Sequence, residues 1–158
     1  MKKSKICILI FFALFLICIA VPYVLPARVS KIYQGVHYDS FRDKKCMIAV
    51  ITVDNQPFTK KGILKLWRKE RKSLKEKGVL FENKCDDIFF AKNKFVRPYG
   101  SQELKYWMGD NQICMRGVVN GMCINNSDVF MSISFEKSFN ENLVIDKYQG
   151  RDIYISYR

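Results

Sequence analysis

A single histidine, His37, is the only imidazole in this chain, so any Ser-His-Asp or Cys-His catalytic set would have to be assembled on that residue. It falls early in an expected strand with no sequence clue to a partner, and it reads as a structural or surface histidine. No G-x-x-x-x-G-K-S/T, G-x-G-x-x-G, H-E-x-x-H or G-x-S-x-G pattern occurs, which removes the usual phosphate cradle, dinucleotide fingerprint, catalytic zinc helix and serine elbow. C-x-x-C spacing is missing too, so a zinc site has no ligand set. Acidic residues are scarce, 15 against 27 lysines and arginines. Asp86-Asp87 and Asp128 are the carboxylates with any claim to pairing. Because adjacent strand residues point to opposite faces, Asp86 and Asp87 would not share a site and read as loop solvators. These absences leave a chain for which neither enzymatic activity, a cofactor nor a metal is expected.

What the chain does have is a long apolar run. Ile6 to Leu25 is 20 residues without a charge, flanked by Lys2, Lys3 and Lys5 before and Arg28 and Lys31 after. At about 1.5 Å per helical residue it would extend roughly 30 Å, the thickness of a bilayer's hydrocarbon core. The run is longer than a secretory h-region, and its small-x-small cleavage sites are poor, so a retained signal-anchor is preferred to a cleaved signal. The heavier positive charge before it favours an N-terminus in the cytoplasm and a C-terminal domain outside. Residues 1–27 are therefore expected to form a transmembrane anchor, and residues 28–158 a single α+β domain.

The cysteines agree with export. Cys7 and Cys18 lie in the apolar run, leaving Cys46, Cys85, Cys114 and Cys123, an even number suited to an oxidising compartment. Four thiols allow three pairings, of which Cys114 with Cys123 and Cys46 with Cys85 is preferred. Asn120-Gly121 conflicts with this, since a two-residue hairpin there would set Cys123 opposite Val118. A wider loop is needed for the bridge.

Cys46 to Val53, reading CMIAVITV, has the unbroken apolar character of a central strand covered on both faces. Ile32 to Tyr38 reads as a strand before it. Thr59 is a good N-cap, Phe58 and Ile63 have the spacing of a hydrophobic staple, and Gly78 with Val79 and Leu74 marks a C-terminus, so a helix is expected from about Lys60 to Lys77. Its apolar stripe is Ile63, Leu64, Trp67 and Leu74, with Glu70 or Arg71 at the stripe's edge. Later segments read as strands: Ile88 to Ala91 with Phe95 to Val96 as a hairpin, Val129 to Phe135 by alternation, and Leu143 to Tyr148 with Ile153 to Tyr157 as a terminal hairpin around Gln149 to Asp152. Gln102 to Met108 fits either a short helix or a strand. The resulting architecture is one long basic helix packed on an antiparallel sheet.

The segment Val53-Asp54-Asn55-Gln56-Pro57-Phe58-Thr59-Lys60-Lys61-Gly62 resembles a family of uncharacterised enterobacterial membrane proteins defined only as a domain of unknown function. The similarity extends to a Val-His pair like Val36-His37, a Trp-bearing basic helix ending like Leu74-Lys75-Glu76-Lys77, and residues like Cys114, Cys123-Ile124 and Met131-Ser132-Ile133-Ser134. Leu66 stands where that family often has a second tryptophan, and Cys46 and Cys85 look extra. The resemblance implies a bacterial inner-membrane protein with a periplasmic domain and supplies no activity.

The helix carries the charge. Between Lys60 and Lys77 nine lysines and arginines stand against two glutamates, most of the +9 that remains when Lys2, Lys3 and Lys5 are set aside from the chain's +12. Lys65, Arg68, Lys69, Arg71, Lys72 and Lys75 are the candidate partner-binding residues, set against the plainer reading of a solvated outer face. Beyond a membrane such a face expects an acidic protein or anionic lipid head groups, and nucleic acid is not expected. A non-enzymatic binding module follows, with an immunity protein against a periplasm-acting toxin as one instance. An envelope protein that binds anionic lipid or lipopolysaccharide is the alternative.

Overall fold

The chain leaves the apolar run and enters a sheet at once. In a computed structural model, the described residues are 10–12, 15, 25–39, 43–79, 83–100, 111–115, 121–137 and 143–158. Strand β1 (Arg28–Asp39) turns back into β2 (Lys44–Asp54), pairing antiparallel from Arg28 opposite Asp54 to Asp39 opposite Lys44. Helix α1 (Lys60–Glu76) carries the chain back along the sheet to β3 (Asp87–Lys92), which therefore runs parallel to β2. The remaining strands are β4 (Gln112–Cys114), β5 (Cys123–Asn125), β6 (Val129–Ser134), β7 (Leu143–Tyr148) and β8 (Arg151–Tyr157). Six of them form one sheet in the order β1-β2-β3-β6-β8-β7, and β4 pairs with β5 apart from it.

The fold is α+β with a long helix on a sheet, but the sheet is mixed rather than purely antiparallel. A helix that spans the sheet returns the chain to the end where β2 began, and that forces the next neighbouring strand to be parallel. The expected hairpin of Ile88 to Ala91 with Phe95 to Val96 does not form. Both edges of β3 are taken, by β2 and β6, and Val96 instead exchanges backbone hydrogen bonds of 2.8 and 2.9 Å with Cys123.

The helix ends follow the sequence closely. Thr59 Oγ1 accepts from the Gly62 amide at 3.1 Å. At the other end, Gly78, with φ +76°, donates to the Lys75 carbonyl at 3.1 Å, and Val79 donates to the Leu74 carbonyl at 3.0 Å. This is a Schellman closure, and its two apolar partners are fully buried. The buried stripe is Ile63, Leu66, Trp67 and Leu74, so Leu66 replaces the expected Leu64, which is half-buried. At about 100° per residue Leu64 and Leu66 flank the line through Ile63, Trp67 and Leu74 about equally, and the sheet covers the flank that carries Leu66. Of the expected staple pair, Ile63 is buried and Phe58 is 69% exposed.

Two apolar layers result. On one sheet face, α1 covers Ala49, Ile51, Ile88, Phe90, Met131, Ile133 and Ile153. On the other, Tyr33, Ile48, Val50 and Ala91 lie under Ile113, Met115 and Ile124 of the β4–β5 unit. That double cover is why β2 is apolar at nearly every position. Cys114 and Cys123 stand directly opposite in β4 and β5 and are bridged, so Cys123 is not set opposite Val118; residues 116–120 of the connection lie outside the described residues. The second bridge joins Cys46 to Cys85. The terminal hairpin closes more tightly than expected, through Gln149 (φ 52°) and Gly150 (φ 79°) alone, the left-handed pair of a type I′ turn.

Of the expected anchor, residues 10–12 and 15 are helical and Ile10, Phe11, Phe12 and Phe15 are exposed, while the rest of the run before Leu25 lies outside the described residues. Among the described residues no helix is long and apolar enough to cross a membrane. Gln102 to Met108 also lies outside them.

Candidate functional site

Burial of one stripe of α1 fixes what the opposite stripe can offer. Lys65, Arg68, Lys69, Lys72 and Lys75 are all exposed; at about 100° per residue Lys65, Lys69 and Lys72 fall within about 40° of the line opposite Trp67, with Arg68 and Lys75 about 80–100° from it on one side. The flanks differ. Arg71 is drawn toward the sheet, where it lies 3.5 Å from Asp146 of the edge strand β7. The same carboxylate accepts from Trp67 Nε1 at 3.2 Å, so Asp146 fastens the helix to β7 and Arg71 serves packing more than display. Lys69 sits 3.5 Å from Glu70, whose side chain is largely covered. The structure thus brings Lys65, Arg68, Lys72 and Lys75 together as the outward cationic strip and sets Arg71 apart from it.

A second cationic group gathers at one end of the sheet. Residues 25–27 enter β1 there, beside the 55–59 turn that starts α1. Pro57 packs over Gly62, where an added Cβ would come within 2.9 Å of the proline ring, and the next residue, Phe58, is 69% exposed. Leu25, Pro26, Pro57 and Phe58 line a cavity of about 560 Å³ with Lys65 and Lys69 at its border. The described charged side chains at this end are Arg28, Lys60, Lys61, Lys92, Lys94 and Arg158 against Asp54 and Asp128. Both carboxylates are engaged, Asp54 by Asn93 Nδ2 at 2.9 Å and Asp128 by Lys92 at 3.5 Å. No acidic residue occupies the first turn of α1, so Lys60 and Lys61 face the positive end of its dipole. Lys60 lies 5.4 Å over the Tyr157 ring.

The carboxylate and histidine candidates have structural surroundings. Asp86 is not a loop solvator: it is 1% exposed and accepts from the Met47 amide at 2.7 Å and the Asn83 amide at 2.8 Å. It clamps the loop before β3 to the start of β2, next to the Cys46–Cys85 bridge. Only its place directly after Cys85 hinted at this role. His37 sits opposite Cys46 in the β1–β2 pair, with Nδ1 buried and without a hydrogen-bond partner among the described residues. No group of three or more His, Cys, Asp or Glu side chains is placed to hold a metal among the described residues. Tyr99 is 72% exposed, whereas Tyr106 and Trp107 lie outside the described residues.

Gln112 and Asp146 were not foreseen. Gln112 is fully buried, donating to the Arg97 carbonyl and Asn125 Oδ1 while accepting from the Tyr99 amide, and so holds the segment after β3 against β4–β5. The chain matches no family model, no curated protein and no solved structure.

Proposed function

We propose that this chain is a membrane-tethered binding module of the bacterial envelope, held in the inner membrane by residues 6–25 and presenting its α+β domain to the periplasm. Its binding surface is the outward strip of α1, and its partner an acidic protein; an immunity protein against a periplasm-acting toxin is the instance this architecture suits. The observation that carries the reading is the contrast along α1: the opposite stripe is buried, Arg71 and Lys69 have acidic neighbours, and Lys65, Arg68, Lys72 and Lys75 stand exposed as like charges. Like charges gathered on one helix face repel one another, a cost that an acidic partner would relieve. Two bridged cysteine pairs suit an oxidising compartment. The resemblance to enterobacterial membrane proteins through residues 53–62 points the same way.

The test is protection of growth. Cells making the full chain, challenged with the product of a toxin gene encoded beside it and directed to the periplasm, should survive. Cells making the Arg68→Glu/Lys72→Glu/Lys75→Glu variant at equal level should not. Equal survival of the two strains, or none in either, would count against an acidic protein partner on this face. The alternative, anionic lipid or lipopolysaccharide bound along the same strip, predicts that the triple variant loses association with added anionic lipid while survival is unaffected.

A further inference from the structure

We infer that the end of the sheet where the chain enters β1 is a seat for the bilayer surface, with Phe58 as its apolar finger and Arg28, Lys60, Lys61 and Lys94 as contacts to anionic phospholipid head groups. The inference rests on the reading that residues 6–25 span the membrane, and it concerns a surface that adjoins the outward strip of α1 at Lys65.

Three observations converge on that end. The apolar run stops at Leu25 and β1 begins at Arg28, so the 55–59 turn, opposite the first residues of β1, is tied within a few residues of the bilayer. Phe58 is 69% exposed and Leu25 48% exposed, side by side on one cavity, in a position where water would be an unfavourable neighbour and a head-group layer a favourable one. Among the described residues both carboxylates at this end, Asp54 and Asp128, are engaged, by Asn93 and Lys92, and neither is paired with Arg28, Lys60, Lys61 or Lys94, whose exposed charges can meet lipid phosphate. Lys60 and Lys61 are moreover the wrong sign for a helix N-terminus, and a local choice made against the helix is expected where a surface serves another purpose. Gly62 belongs to the same turn, because a side chain there would crowd Pro57 beside Phe58.

The opposite end of β1 supplies the internal reference. Tyr38 is 49% exposed and lies ten strand positions from Arg28, about 30 Å further from the bilayer if the seat is occupied.

The full chain is reconstituted into vesicles of phosphatidylcholine with or without phosphatidylglycerol, each brominated on the upper acyl chain. Single variants Phe58→Trp and Tyr38→Trp are compared with the parent, whose own tryptophans form a common background, and melting temperatures check that each variant folds. Emission added by Phe58→Trp should be quenched severalfold more than that added by Tyr38→Trp. Adding Lys60→Glu, Lys61→Glu and Lys94→Glu to Phe58→Trp should bring quenching in the phosphatidylglycerol vesicles down to the level in phosphatidylcholine alone. Equal quenching at the two positions overturns the seat, and so does quenching indifferent to phosphatidylglycerol and to the three reversals. A blue-shifted but unquenched Phe58→Trp signal would place a protein surface there and also overturns it. Failure of the chain to float with vesicles of either kind removes the membrane span and the seat together, a result distinct from the others.

Discussion

The two ends of the sheet are built on different terms. Where β2 begins, the Cys46–Cys85 bridge and the buried Asp86 clamp fix the loops. Where β2 ends, the described residues hold no bridge; instead there are an outward phenylalanine, a proline stacked on a glycine and an excess of cations. The first end is organised for its own stability. The second keeps residues that local stability does not favour, a conflict that the proposed bilayer seat would explain.

The largest effect should come from opening the fastened end. In the chain-entropy account a bridge across 39 residues stabilises by about 4 kcal/mol, and one across 9 by about 2.5 kcal/mol. Cys46→Ser with Cys85→Ser should therefore lower the urea midpoint more than Cys114→Ser with Cys123→Ser. The reverse order would show that the β4–β5 layer, with its three-residue strands, depends on its bridge more than loop length alone implies.

Next comes the clamp. Asp86→Ala leaves the Met47 and Asn83 amides without their acceptor and should cost about 1–3 kcal/mol by thermal melt, whereas Lys84→Ala, an exposed neighbour, should change little.

At the other end the sign should reverse. Lys61→Glu places an acid in the first turn of α1 and should raise stability by about 0.3–1 kcal/mol in low salt, even as it weakens attraction to anionic lipid. A loss of stability would mean that Lys61 has a structural role.

The smallest effect is a pH dependence at the fastened end. Burial raises the Tyr148 phenol above its ordinary 10.0, and its hydroxyl donates to the Val79 carbonyl at 3.2 Å. The unfolded phenol ionises first as pH rises, so this contribution is intact below pH 10 and is lost as pH climbs from there through the folded value. Tyr148→Phe should flatten that alkaline decline.

The sequence made the covalent and helical features legible because their signals are local. Thr59, Gly78 and the apolar stripe define α1 within a turn of its observed ends, and CMIAVITV could belong only to a strand covered twice. What escaped depends on partners remote in sequence. The parallel β2–β3 pairing follows from where the helix delivers the chain, Asp86 acquires its role from an amide 39 positions earlier, and Asp146 meets Trp67 across 79. Phe58 fits a staple by spacing, yet it is 69% exposed in a turn where Pro57 packs against Gly62. For the binding strip, the sequence located the charge but could not separate Arg71, whose acidic neighbour sits on an edge strand.

The proposed placement of this domain on the oxidising side of a membrane rests first on the state of its cysteines. Alkylation of all free thiols in intact cells at the moment of lysis, followed by non-reducing peptide mapping of the membrane-extracted chain, tests it directly. The expected result is linked Cys46–Cys85 and Cys114–Cys123 peptides with label only on Cys7 and Cys18. Label on all six cysteines would place the domain in a reducing compartment and contradict it.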